Sequence, residues 1–156
     1  MVSEGEDHEM QNIELKIPSQ PGFEKVAMHT AGDCARIMGM SEERVQDVMT
    51  AVSEACINAM EHGNANDVTT KVFVAVKIED DRLVMDVVDE GRSGPPPHDV
   101  EPPDLAAQIA GTAPAGGMGL FVIKALVDEA DFVEPDIGTG TQFRMVIYVE
   151  PREDQS

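Results

Sequence analysis

Basic residues are scarce in this chain. Its 156 residues hold 11 lysines and arginines against 30 aspartates and glutamates, a formal net charge of −19. Phosphate backbones and anionic membranes are held by basic patches that release counterions, so this balance speaks against direct nucleic-acid binding and against membrane binding. It suits simple solubility, or a partner with a basic face. Cysteine occurs twice, at Cys34 and Cys56, each among apolar neighbours. Two scattered cysteines make neither a zinc spacing nor a disulfide framework, so buried thiols in a reducing compartment are expected. Long apolar runs are also missing. The stretch "GLFVIKALV" is short and carries Lys124, far from a transmembrane segment. The N-terminus is acidic and lacks an apolar signal region, which points to a cytoplasmic protein. There is no GxxxxGKS or GxxxxGKT and no HExxH, so a P-loop and a zinc hydrolase are both unsupported.

What is present suffices for one core. Hydrophobic residues make up 42% of the chain, and its length fits one compact domain rather than two. Residues 1–10 ("MVSEGEDHEM") and 151–156 are polar and charged and read as tails, leaving a single domain at 11–150.

The periodicity gives an order of elements. "NIELKI" alternates Ile13, Leu15 and Ile17 and predicts a strand, stopped by Pro18 and Pro21-Gly22. Apolar positions from Phe23 to Met38 fit a helix ended by Gly39. Ser41 is a suitable N-cap, and Glu42 and Glu43 suit the positive end of a helix dipole. Val45, Val48, Met49, Val52, Cys56 and Ala59 then recur at helical spacing as far as Gly63. "TTKVFVAVKI" and "LVMDVVDEG" read as a hairpin, apolar on both faces, covered on one side by helices. A Pro- and Gly-rich stretch at about 92–117 is long for a plain loop, and such loops commonly act as lids. "GMGLFVIKALVDE" predicts a helix, and "DFVEP" and "TQFRMVIYVE" predict strands joined by a turn around Asp136-Ile137-Gly138. The order β-α-α-β-β-lid-α-β-β predicts an α+β two-layer α/β sandwich, with helices on one face of a mixed, mainly antiparallel sheet.

Several residues could carry chemistry. "VSEACINAMEHGN" sets Glu54, Asn58 and His62 four apart along one helical stripe. "DEGRSG" places Asp89 and Gly91 at a strand end, with Gly94 beyond them. "GGMGL" gathers Gly116, Gly117, Met118, Gly119 and Leu120 where a helix opens, and Gly140-Thr141 opens the last strand. Singly, each has a bland reading: a solvated acid, a surface amide, a histidine favouring the helix dipole, a glycine turn. Their order is what carries weight.

In that order, "AVSEACINAMEHG", "VVDEG", "GGMGLFVIKALVDEAD" and "GTGTQF" resemble the N, G1, G2 and G3 boxes of the GHKL ATPases, and within them the bacterial anti-sigma-factor serine kinases. The resemblance spans roughly residues 11–149. It implies ATP and Mg²⁺ as cofactors. Asn58 would ligate the magnesium ion through its amide oxygen. Glu54 would be the general base beside the γ-phosphate. Asp89 would accept the exocyclic amine of adenine, and Gly91 would let the backbone approach the purine. Gly94, Gly116, Gly117, Met118, Gly119, Leu120 and Thr141 would complete the nucleotide contacts, with backbone N–H groups against phosphate at the helix start. His62 falls in the same box, where structural packing explains it equally well. One departure stands out: Ser93 takes the place of a second glycine, and Gly94 comes one position later.

The resemblance further implies an ATP-dependent protein serine kinase of a partner-switching pathway. Such a kinase phosphorylates a STAS-type anti-anti-sigma protein, sequesters a sigma factor and works as a homodimer. The alternative is a nucleotide-gated binding module that sequesters a regulatory protein without phosphotransfer.

Overall fold

The computed structural model describes residues 11–91, 118–135 and 140–150. The expected tails at 1–10 and 151–156, the expected lid at about 92–117 and the turn around Asp136-Ile137-Gly138 lie outside the described residues. The elements follow the expected order: β1 (Asn12–Pro18), α1 (Glu24–Ile37), α2 (Glu42–Asn58), a π-helical turn (Ala59–Gly63), β2 (Lys71–Ile78), β3 (Arg82–Val88), α3 (Met118–Leu126), β4 (Glu129–Val133) and β5 (Gln142–Tyr148). The strands form one sheet in the order β1-β2-β3-β5-β4. Every pairing among the described strands is antiparallel. The fold is the expected open α+β sandwich.

Strand alternation decides which side chains meet the helices. Val72, Val74 and Val76 of β2 share a face with Leu83, Met85 and Val87 of β3 and with Phe143, Met145 and Ile147 of β5. These join Ala27, Ala31, Val45, Val48, Val52, Cys56 and Ile123 in one buried cluster. At about 1.5–3 kcal/mol for each fully buried aliphatic side chain, this cluster is the main stabilising element. Small residues bring α1 close to α2: a Cβ on Gly32 would meet the Met49 side chain at 2.7 Å. Both cysteines are free and buried. Burial, and secondarily the charge of Glu24, pushes the Cys56 thiol up to about 12.

The hairpin departs from the expectation of apolar residues on both faces. The second face of β2 carries Lys71, Phe73, Ala75 and Lys77, with the Lys16 ammonium 5.0 Å from the centre of the Phe73 ring. On β3 the same face carries buried Asp86, held by Arg144 at 2.8 Å and Lys77 at 3.3 Å. A carboxylate drawn from water needs such partners, and breaking the pair would cost about 3–5 kcal/mol.

Two helix ends also differ from the periodic pattern. Ser41 caps α2 as expected, accepting from the Arg44 N–H. At its other end α2 widens after Asn58 into the π-helical turn, closed by Asn64 N–H donating to the Ala59 carbonyl at 2.8 Å. α3 stops at Leu126, three residues before the apolar pattern would end it. Asp128 has moved into the sheet: its N–H donates to the Val146 carbonyl, and its carboxylate accepts from Arg44 Nη2 at 2.8 Å and Tyr148 N–H at 2.7 Å.

Candidate functional site

The site has two ends, both reached from the last turns of α2. At the first, Glu54 and Asn58 lie one helical turn apart and half-buried. Gly119, in the first turn of α3, sits directly on them. A Cβ at Gly119 would lie 3.0 Å from Glu54 Oε2, 3.0 Å from Asn58 Nδ2 and 3.2 Å from Asn58 Oδ1. Only a glycine leaves room for this approach while those side chains keep their places. Asn58 Nδ2 is buried with no hydrogen-bond partner among the described residues. A buried, unpartnered amide N–H costs about 1–3 kcal/mol. It is a donor, and its complement is a group rich in acceptors, such as a phosphate. The N–H groups that open a helix favour the same kind of group.

These residues fit a magnesium ion as well. Asn58 Oδ1 and the Glu54 carboxylate are hard oxygen donors on one side of one helix. No cluster of three His, Cys, Asp or Glu occurs among the described residues. A hard divalent cation such as magnesium takes few protein ligands and draws the rest from water and phosphate.

The second end is built around Asp89, just past β3 and only 7% exposed. Its Oδ1 accepts from Gly91 N–H at 2.7 Å and from Thr141 N–H at 3.0 Å. Its own N–H donates to the Thr141 carbonyl at 3.0 Å. Gly91 adopts a left-handed φ of 72°, which lets the chain turn back on the carboxylate. Burial raises the Asp89 pKa above the ordinary aspartate value, while the N–H donors of Thr141 and Gly91 pull it the other way.

The expected residues divide by location. Glu54, Asn58 and Gly119 come together at one end; Asp89, Gly91 and Thr141 come together at the other. Thr141 meets Asp89 through its backbone. Leu120 is half-buried and packs against the core. Met118 opens α3. Gly94, Gly116 and Gly117 lie outside the described residues. His62 is exposed on the π-helical turn. The wider winding there breaks the four-residue stripe that an unbroken α-helix would have continued.

Gly63 and Asn64 escaped sequence reasoning as parts of this site, and Gly140 was noted there without a role. A Cβ on Gly63 would run into the Asp89 carboxylate, and a Cβ on Gly140 would run into the Asp89 backbone carbonyl. Both glycines fall inside boxes of the resemblance, Gly63 as a helix stop and Gly140 as the opening of the last strand, with no role given to either. Asn64 is fully buried, and its Oδ1 accepts from Glu90 N–H at 2.7 Å. No sequence period signals a buried polar residue in a loop.

The family described as the histidine kinase-like ATPase domain matches residues 17–147. The serine-protein kinase RsbW of Bacillus subtilis (strain 168) is 33% identical over 121 residues, covering 75% of this chain and 74% of that one. The serine-protein kinase RsbW of Bacillus licheniformis is 32% identical over 149 residues, covering 88% and 85%. Among solved structures, the RsbU and RsbW domains of Rv1364c from Mycobacterium tuberculosis match 87% of this chain with a TM-score of 0.60 at 20% identity. This chain spans 31% of that longer one, and at such identity the likeness speaks for the fold alone. The chain therefore belongs to the histidine kinase-like ATPase family, in the branch that holds the RsbW serine-protein kinases.

Proposed function

We propose that the protein is an ATP-dependent protein serine kinase that acts as an anti-sigma regulatory factor. Its substrate is a serine on a STAS-type anti-anti-sigma protein, and in its other state it holds a sigma factor. One observation supports the reading: Glu54 and Asn58 converge on the start of α3, with a buried amide N–H that lacks a partner among the described residues. A carboxylate at that place can serve as the general base of a phosphate transfer, a step that a module which only binds does not perform.

The roles are those the resemblance implies, and each has a chemical reason. Asp89 accepts the adenine amine, and the α3 N-terminus receives phosphate. Asn58 Oδ1 holds magnesium, which when bound neutralises charge on the phosphates. Glu54 takes the proton from the serine hydroxyl as its oxygen bonds to the γ-phosphorus and the bond to ADP breaks. Glu54 is left protonated and ADP leaves. The family resemblance adds a homodimer, and the setting we propose is cytoplasmic. No helix among the described residues is long and apolar enough to cross a membrane.

The test combines purified protein, Mg-ATP and the STAS-type partner, reading phosphoserine on the partner. Glu54→Ala is expected to keep ATP binding and to lose transfer by about 10²–10⁴-fold, the usual contribution of a general base. Undiminished transfer by that variant sinks the assignment. Intact regulation in cells without transfer would make the nucleotide-gated binding module the correct reading.

A further inference from the structure

The π-helical turn and the residue that closes it have no part in the chemistry above, yet they stand between its two ends. Asn64 is 0% exposed. Its backbone N–H closes the turn onto the Ala59 carbonyl. Its side chain makes three further hydrogen bonds, each to a different segment. Nδ2 donates to Ser19 Oγ, just past β1, and to the carbonyl of Lys71, the first residue of β2, both at 2.9 Å. Oδ1 accepts from the N–H of Glu90, the residue after Asp89. Its neighbour Gly63 lies against the Asp89 carboxylate with no space for a Cβ. After Asn64 the chain turns sharply through left-handed backbone at Ala65 and Asn66.

We propose that Asn64 is a positioning residue: it fixes the Asp89–Glu90 backbone against the end of α2 and thereby sets how well Asp89 discriminates an aminopurine from a purine without the amine. This rests on the reading of Asp89 given above. Asp89 is tied to β5 by its own N–H and by Thr141 N–H, which fixes its distance from that strand. The bond from Glu90 N–H to Asn64 is a tie on the side of the helix that carries Glu54 and Asn58. It also accounts for the wide turn. An α-helical continuation would bring the chain round in a different phase, and Gly63 and Asn64 would not face the end of β3.

The experiment measures affinity for ATP and for inosine triphosphate, which carries an oxygen where adenine has its amine, on variants whose fold and melting temperature are recorded alongside. Wild type is expected to prefer ATP. Asn64→Ala is expected to lower that preference by about tenfold, through weaker ATP binding and little change for inosine triphosphate. Ser19→Ala removes one acceptor and leaves the Glu90 contact in place, so it should lower the preference by about two- to threefold. It serves as the readout if Asn64→Ala does not fold. A merely structural Asn64 would lower the melting temperature and leave the ratio alone. An unchanged ratio in Asn64→Ala, or in Ser19→Ala where that variant is the readout, overturns the proposal while Asp89 recognition stands. If wild type itself shows no preference for ATP, the reading of Asp89 fails, and the role of Asn64 fails with it.

Discussion

Asp89 and Asn58 are both polar, both drawn into the interior, and treated in opposite ways by the fold. Around Asp89, two N–H groups converge on Oδ1, two glycines make space for the carboxylate and its carbonyl, and Asn64 fastens the next residue. Around Asn58, one nitrogen has no partner among the described residues, and a Cβ at Gly119 would lie 3.0 Å from it. One end is finished before any ligand arrives; the other holds an unmet demand that a ligand can satisfy. Preorganisation lowers the ordering cost of binding. An unsatisfied group instead costs stability in the free protein and returns it on binding. On the proposed reading, the Asp89 end would serve selectivity, and the Asn58 end would tie the stability of the fold to ligand binding.

The contrast can be broken most forcefully by adding one methyl group at each end. Gly63→Ala drives a Cβ into the Asp89 carboxylate, which its N–H partners hold fast. Its expected cost is about 1–3 kcal/mol of folding stability, measured by urea denaturation, together with a large loss of ATP affinity. Gly119→Ala meets only the ends of the Glu54 and Asn58 side chains, at 3.0 Å. Those can swing aside, so stability should fall by less than about 1 kcal/mol while transfer activity collapses. Equal stability losses at the two glycines would show that the phosphate end is as rigid as the other, and the contrast would be lost.

Asn58→Ala sharpens the same point with a smaller effect. It removes the unpartnered nitrogen, so folding stability without nucleotide should stay level or rise by up to about 1 kcal/mol. The stabilisation expected from Mg-ATP on wild type should disappear, and ATP without magnesium should also stabilise the variant less than wild type, because the Nδ2 donor is gone. Thermal unfolding with each additive decides. A clear drop in the stability of the free variant would mean that Asn58 has a structural partner and that its amide is not held in reserve.

How much of this could be read from residues alone follows from what each residue signals. The helices and strands were legible because apolar side chains recur at 3.6 and 2, and the order of elements followed from those periods. Glu54, Asn58 and Asp89 were legible as an ordered set of boxes. The π-helical turn was not, because Gly63 looks like an ordinary helix stop whether the preceding turn holds four residues or five. Asp128 looked like more helix, since its pull into the sheet depends on Arg44, 84 positions away. Asp86 broke the apolar pattern and Asn64 lay outside any pattern, and distant partners explain the burial of both. Periodicity reports on faces; it is silent on which polar group waits across the gap.

The subtlest difference between the two ends lies in pH. Burial raises the folded-state pKa of Asp89, so the folded protein holds that proton more tightly than the unfolded chain does. Asp89 therefore favours folding fully below the ordinary aspartate value and loses that contribution as pH rises through its folded value. Asp89→Asn removes a charge the interior disfavours and keeps an amide oxygen for the Gly91 and Thr141 N–H groups. Relative to wild type, the variant should gain stability between mildly acidic and neutral pH, as read from urea midpoints at several pH values. Function should move the other way. A protonated Asp89 no longer offers a full carboxylate to an amine, so ATP affinity should fall as pH drops through the folded value, and that fall should be absent in the variant. If wild type and Asp89→Asn keep parallel stability curves across this range, burial is not straining the carboxylate. The finished end would then have no cost in the free protein, and the asymmetry with Asn58 would be sharper still.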